Sequence, residues 1–504
     1  MLNVKSFDIN ERILLVHQDD FNELGLSYGK SIRFTYDRIN FSGRVAVTSS
    51  LIPKGSIGIP QYLIKQYEIP ENEKGRIEAL KTSEVEGIIQ KKMMGGILDK
   101  DETNLLVREL REGAVMPIQT VAFALSHHFG QTDVSEIEYL TRALADSGTK
   151  LDFTAPTYNK HSLGGVPGNK VSLLIVPIVA AGGLLIPKTS TKAITSPSGT
   201  VDSMAVFADV DFSPDEVIEI TSKTKGCIVF AGGKLDLAPA IDRIIEDAAY
   251  PLGIDPQSLM LAGIMSKKLA TSTDFMVLDL PCPTTKIPSI EEGQSFARSF
   301  VELAARLGVR LEAGLTYGGV PVGHSIGPAL EAREALETLM SKGKRGPTSL
   351  IEKSTGLAGI LFEMAGMAPR GRGQEYARGL LTSGKAYEKF KQIIEAQGGN
   401  PDITPQEITT EFIDEDHVFK WQAAADGWPI EFNNSAITAV ARAAGAPKDK
   451  GAGILVKSKK EPVRKGDVVL EVFASSETAL DETIALIAKT VPVTIEGFLM
   501  DRIA

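Results

Sequence analysis

Asn159-Lys-His-Ser-Leu-Gly-Gly-Val-Pro-Gly-Asn-Lys170 is the densest signal in the chain, and Ser172 follows it at once. Gly164, Gly165 and Gly168 let a backbone approach a ligand closely and point N–H groups at it. Lys160 adds a positive charge, and Ser162 and Ser172 add hydroxyls. Behind the turn runs Val171 to Pro187, VSLLIVPIVAAGGLLIP, interrupted by Pro177, Gly182 and Gly183. It is short for a membrane span of about 20 residues and reads as a buried helix of an α/β domain. Its N-terminus would face the glycine turn and favour an anion. The pattern is neither a Walker A sequence nor GxGxxG. By themselves the residues allow a phosphate site or a tight strand-to-helix turn with no ligand.

Outward from this turn, β-type runs alternate with helices from about 152 to 399. Gly226–Phe230, Phe275–Leu280 and Arg310–Leu315 read as strands, and Ser295–Leu307 and Ala329–Met340 as helices. Such alternation implies a mainly parallel sheet flanked by helices. Upstream, 83 to 147 turns helical. Asp133-Val-Ser-Glu136 has the form of a capping box, Ile137, Leu140 and Leu144 share a face, and Glu138 and Arg142 stand at i, i+4. Residues 1 to about 80 carry short strands, Arg12–His17 and Arg44–Thr48, and the charged stretch 70–76 reads as a linker. Beyond 405, Gly453–Val456 and Asp467–Val472 read as strands, and Asn434–Gly445 as a helix with Gly445 at its C-cap. The expected chain is α/β multidomain: an N-terminal β-rich module (1–82), a helical domain (83–151) joined by later helices, a mainly parallel-sheet α/β phosphate-binding domain (152–404) and a C-terminal α+β domain (405–504).

The 504 residues exceed the roughly 100–200 of one domain. With 43% hydrophobic and 23% charged residues the chain is an ordinary globular one. Its net charge of −10 argues against nucleic acid or an anionic membrane as partner, though a small anion can still find a locally positive site. Cys227 and Cys282 allow at most one bridge, which fits a reducing cytoplasm. MLNVKSFDINERILL is not a signal peptide. His127 and His128 diverge by about 100° on a helix and are no metal pair.

Two further stretches carry chemistry. Lys188-Thr-Ser-Thr-Lys192 with Thr195-Ser-Pro-Ser-Gly-Thr-Val-Asp202 could bind phosphate and ribose, or form ordinary turns. Asp255, just before Pro256, could cap the helix that leads to Lys267 and Lys268, or serve as a general acid if burial raises its pKa. Of the two lysines, only one would face a cleft.

Together these stretches resemble the thymidine and pyrimidine-nucleoside phosphorylase superfamily, and more closely its longer branch, which includes the archaeal AMP phosphorylases. Supporting stretches are Ile186–Ser190, Ala193–Thr200, Leu237–Ile245, Ser266–Ala270, Leu315–Leu336 and Lys465–Asp467. The resemblance implies phosphorolysis of a nucleoside 5′-monophosphate (AMP + phosphate = adenine + ribose 1,5-bisphosphate), or else of a thymidine-type or pyrimidine nucleoside. A nucleotide-binding relative without activity is the reading from another class. The resemblance also implies a helical and an α/β domain closing over a cleft, inorganic phosphate as co-substrate without cofactor or metal, and a cytoplasmic homodimer or larger assembly. Anthranilate phosphoribosyltransferases share a similar core, but the acidic metal-binding pairs they would want are not evident.

By the same resemblance, Lys160, Ser162, Ser172, Ser190 and Thr200 would surround phosphate. Gly168, Ile194, Thr195, Ser196, Pro197, Ser198, Gly199 and Ser203 would line the nucleotide site. Asp255 would protonate the leaving base, Lys267 and Lys286 would contact substrate, and His161 would stand on the base side or merely shape its loop. The chain departs from the pattern at Gly263 (a serine is usual), Thr191-Lys192 (Ser-Arg), Val206 (glutamate), the shortened loop Pro281–Lys286 and the arginine-free Glu246–Ala249. These departures are expected mainly on the base and nucleotide side. They leave the substrate more open than the reaction.

Overall fold

In a computed structural model, residues 1–9, 12–28, 31–37, 39–79, 83–459 and 461–497 are described. The chain forms two compact units: residues 1–150 with 237–270, and residues 151–236 with 271–504.

The first unit opens with a closed barrel of the strands Leu2–Phe7, Ile13–His17, Ser31–Tyr36, Ile39–Thr48, Ser56–Pro60 and Lys74–Ala79. Val4, Leu14, Val16, Ile32, Phe34, Ile57 and Ile59 fill it. The stretch expected as a linker at 70–76 therefore ends inside a strand: Gly75 pairs with Leu2. A Cβ on Gly75 would fall 1.9 Å from the Phe34 ring, so only glycine fits over that ring. Four helices follow, Ser83–Met93, Lys100–Arg111, Pro117–Phe129 and Val134–Asp146. They share one core with the helical stretch from 239 to 270.

The capping box expected at Asp133 forms only by half. Asp133 accepts from the Ser135 N–H, but Glu136 turns inward to the Lys92 ammonium at 2.6 Å and the Leu98 N–H at 3.1 Å. A buried ammonium stabilises a carboxylate more than an exposed N–H does, so the tertiary partner wins. His127 is buried against Ser258 at 2.8 Å while His128 is exposed, as their divergence on a helix requires.

In the second unit, Phe275–Cys282 lies between Tyr158–Ser162 and Arg310–Tyr317, all parallel, and Ile186–Ser190 pairs in parallel with Gly226–Phe230. A parallel bridge from Thr157 to Leu185 links the two sets. The apolar run after the glycine turn is a buried helix only over Ser172–Ala181. Gly183, at φ +92°, lies in the turn that ends it, and the rest of the run enters the strand at Ile186. Farther on the pairing becomes antiparallel. Ser325–Ile326, Gly453–Val456, Val468–Phe473 and Val418–Gln422 form one sheet, and Trp428–Phe432 with Val493–Glu496 another. The helix Asn434–Ala443 packs Ile437, Val440 and Ala441 into the same core. Among the described residues, no helix is long and apolar enough to cross a membrane.

Candidate active site

The strand Tyr158–Ser162 carries Lys160 to the floor of a cavity of about 780 Å³ within the second unit. The Lys160 ammonium donates to Ser162 Oγ, which donates in turn to Asp279 Oδ2, and Asn169 Nδ2 reaches the same hydroxyl at 3.2 Å. Thr316 Oγ1 donates to Asp279 Oδ1 at 2.6 Å. Lys353 Nζ stands 3.0 Å from Asp279 Oδ2, without hydrogen-bond alignment. One carboxylate thus stands behind a buried cluster of Lys160, Lys188 and Lys353. Burial lowers Lys160 to about 7; Asp279 opposes the shift, and Lys353 and Lys188 add to it. For Asp279, burial acts upward, but Lys353, Lys160 and the Ser162 and Thr316 hydroxyls outweigh it and hold the carboxyl below its ordinary value. The excess positive charge favours an anion.

The glycines of the turn divide their work. Gly164 and Gly165 adopt φ +87° and +85°, and a Cβ on Gly164 would meet open space. Gly168, at φ +72°, is close-packed instead: a Cβ there would lie 2.6 Å from the Val322 carbonyl oxygen and 2.8 Å from that of Ser325. The helix after the turn has no side-chain cap; its Leu173 and Leu174 N–H groups donate instead to the Lys170 and Val171 carbonyls at 2.9 and 3.1 Å, so only the helix dipole is left to favour an anion there. Asp202 ties the next loop at both ends, accepting from the Ala193 and Gly199 N–H groups at 2.8 Å each.

Lys160, His161, Ser162, Gly168, Ser172, Ser190, the run Ile194–Gly199, Thr200 and Lys286 all line the cavity. Ser203 lies one layer behind, 2.8 Å from the Ser198 hydroxyl. Asp255 and Lys267 belong to the first unit. Asp255 is exposed there, so its own unit does not supply the burial that a general-acid reading calls for. Lys267 is held by both Asp242 oxygens at 2.8 Å, while Lys268 is buried.

Lys188 and Lys192, the ends of the second stretch singled out in the sequence, also line the cavity. Sequence reasoning missed Asn434, Ser435, Thr438 and Arg442 of the C-terminal helix, which line it too. Arg442 Nη1 donates to the Ser196 carbonyl at 3.2 Å, which brings that helix onto the loop Ile194–Gly199. The polar positions 434, 438 and 442 recur at helical spacing along one stripe beside the apolar face, a signal that could have marked a second working surface. No carboxylate lines the cavity among the described residues, whereas Lys160, Lys188, Lys192, Lys286 and Arg442 do. Among the described residues no group of three or more His, Cys, Asp or Glu could hold a metal ion.

The departures also find places. Val206 is buried in the hydrophobic core and does not line the cavity, which corrects its expected place on the nucleotide side. A Cβ on Gly263 would lie 2.8 Å from Ile241 Cγ1, so a serine there would require Ile241 to move. Lys192 stands over the Phe230 ring at 5.1 Å from its centroid. In the shortened loop, Thr284 packs beside Gly165.

Fold and site define a glycosyl transferase. Residues 86–148 match the "Glycosyl transferase family, helical bundle domain", and residues 154–387 the "Glycosyl transferase family, a/b domain". The chain is 46% identical to the AMP phosphorylase of Thermococcus kodakarensis over 97% of its own length and 96% of that protein's. It is 44% identical to the AMP phosphorylase of Methanosarcina acetivorans over 100% and 98%. The chain belongs to the AMP phosphorylase family, in keeping with the superfamily resemblance read from the glycine turn. The crystal structure of anthranilate phosphoribosyltransferase (TrpD) from Thermus thermophilus is similar in fold, with TM-score 0.52 and 21% identity over 62% of this chain and 99% of that one.

Proposed function

We propose that this protein uses inorganic phosphate to split the N-glycosidic bond of a nucleoside 5′-monophosphate, with AMP giving adenine and ribose 1,5-bisphosphate. The observation that carries this reading is a cavity that no carboxylate lines among the described residues and that holds two cationic poles: a buried one of Lys160 and Lys188, and a more exposed one of Lys192, Lys286 and Arg442. One pole suits the attacking phosphate and the other a 5′-phosphate. The family membership supports the same reaction.

A phosphate held by Lys160, Ser162, Ser172, Ser190 and Thr200 attacks the anomeric carbon opposite the base. A C–O bond forms as the C–N bond breaks. The electron pair leaves with the base, and a proton from Asp255 completes it. Ile194–Gly199, with Gly168 and Ser203 behind them, shape the nucleotide site, Lys267 and Lys286 contact substrate, and His161 stands toward the base. Phosphate is the co-substrate, with no further cofactor or metal. A cytoplasmic homodimer or larger homo-oligomer, without nucleic-acid or membrane partners, completes the reading.

Base release from AMP, adenosine, thymidine and uridine, each with and without phosphate, tests it. AMP should be cleaved fastest, and only with phosphate. Faster cleavage of thymidine or uridine would install the nucleoside phosphorylase instead. Tight nucleotide binding with no base released from any would leave a binding protein and sink both.

A further inference from the structure

A second cavity, of about 460 Å³, lies within the first unit, where the barrel meets the helices. Arg12 and Arg44 reach it from the barrel, Arg111 and Arg243 from the helices. Arg12 is the telling member. Its Nε is buried with no hydrogen-bond partner among the described residues, and its Nη2 finds only the Tyr67 hydroxyl at 3.5 Å. Burial acts against its charge first, the Tyr67 and Tyr62 phenols oppose that, and Arg243 and Arg111 then add to it. A half-buried cation that faces other cations and keeps its buried N–H bond unmade is costly unless an anion completes the site.

The cavity wall also carries three acids, and their states matter. Asp242 is taken by Lys267, with both oxygens at 2.8 Å, and Asp247 by Arg243 at 3.3 Å. Glu246 is pushed up by its half-burial and by Asp242 and Asp247, with Arg243 and Lys267 acting against the shift. Glu246 and Asp247 lie in a π-helical turn, Ile245–Ala249, a distortion that recurs at functional sites. Gly113 leaves room for the Arg243 guanidinium: a Cβ there would stand 2.9 Å from Nη1. The uncharged start of the helix Pro117–Phe129 lines the same space.

We propose that this cavity binds a phosphate dianion, free or as the phosphomonoester of a small sugar, at a site separate from the glycine turn. Guanidinium forks match phosphate oxygens pairwise. The volume exceeds one phosphate and falls within the roughly 300–1,000 Å³ of small-molecule sites. Asp242 links this cavity to Lys267, so an occupied site and that lysine share one carboxylate.

Equilibrium binding of radiolabelled inorganic phosphate and of ribose 5-phosphate to the full-length protein carrying Lys160→Ala and Arg442→Ala tests the proposal, since those substitutions weaken both anion poles of the first cavity. One equivalent per chain should still bind, and Arg12→Met with Arg243→Met should weaken it more than tenfold. Inorganic phosphate bound as tightly as ribose 5-phosphate identifies a free-anion site; tighter ribose 5-phosphate identifies a monoester site. Because the double variant removes half-buried groups, Arg111→Gln, at an exposed position, provides a milder check and should weaken binding several-fold. Crystals of the unaltered protein soaked in tungstate should show an anomalous peak beside Arg12 and Arg243. Residual binding that ignores all three arginines, or a cavity without the peak, overturns the proposal.

Discussion

Lys353 and Asp279 form an ion pair at 3.0 Å in which the lysine is 7% exposed and the aspartate not at all. The pair sits behind the lysine-lined cavity, and Asp279 also receives Ser162 and Thr316. Removing one partner of a buried pair leaves the other charge uncompensated. Asp279→Asn leaves Lys160, Lys188 and Lys353 facing one another and should cost about 3–5 kcal/mol in urea unfolding. Lys353→Met, which leaves Asp279 its other donors, should cost less. Equal losses would mean that Asp279 is not the hub of the cluster.

The depressed Lys160 pKa makes both stability and anion binding depend on pH. The folded chain releases this proton near 7, whereas an ordinary lysine holds it to 10.5. Between these values the unfolded state binds more protons. This lysine's contribution to stability is therefore least favourable below about 7 and rises with pH up to about 10.5. A bound anion restores the charge, so binding above pH 7 takes up a proton. Sulfate, whose own charge is constant here, should lose affinity as pH rises through this window, by at most about tenfold per unit. Calorimetric titrations that find a flat profile in the unaltered protein would contradict it.

Lys160→Ala should lower kcat/KM for phosphate by more than about tenfold, the loss expected for one charge-assisted contact. Initial-rate kinetics with phosphate varied at saturating AMP are the measurement. Unchanged kinetics would remove the glycine turn from the mechanism.

Arg442 meets the loop Ile194–Gly199 at Ser196 and lines the same cavity as Lys192. If it faces the 5′-phosphate, Arg442→Ala raises KM for AMP about tenfold and leaves adenosine kinetics nearly unchanged. A similar rise on both substrates would make Arg442 a support for the loop and nothing more.

Lys92 and Glu136 are 0% and 2% exposed and 2.6 Å apart. Lys92→Met should destabilise by about 3–5 kcal/mol through the stranded carboxylate. Adding Glu136→Leu should recover much of this but not all, because the Leu98 N–H then loses its acceptor. A urea titration of the three variants reads the difference.

Much of the local structure was legible. Gly226–Phe230 is a strand over the predicted residues, and the run starting at Val171 holds a buried helix. Both follow from patterns of burial within a few turns of chain. The barrel was less legible. Its last strand, Lys74–Ala79, is short and mostly exposed, so charge masked its pairing. Glu136 misled for a related reason: a capping box and a buried salt bridge call for the same residue, and only the position of Lys92 decides between them.

From the order of residues alone came the grouping of the glycine turn, because Lys160, Ser162, three glycines and Ser172 lie within one turn and one helix start, where spacing is already geometry, and all of them line one cavity. Only the tertiary structure showed that Asp279 and Lys353 stand behind that turn, that Arg442 reaches Ser196 across more than two hundred residues, and that Val206 is core. The physical reason is that a charge acts through space within a few ångströms, and distance along a folded chain carries no record of that.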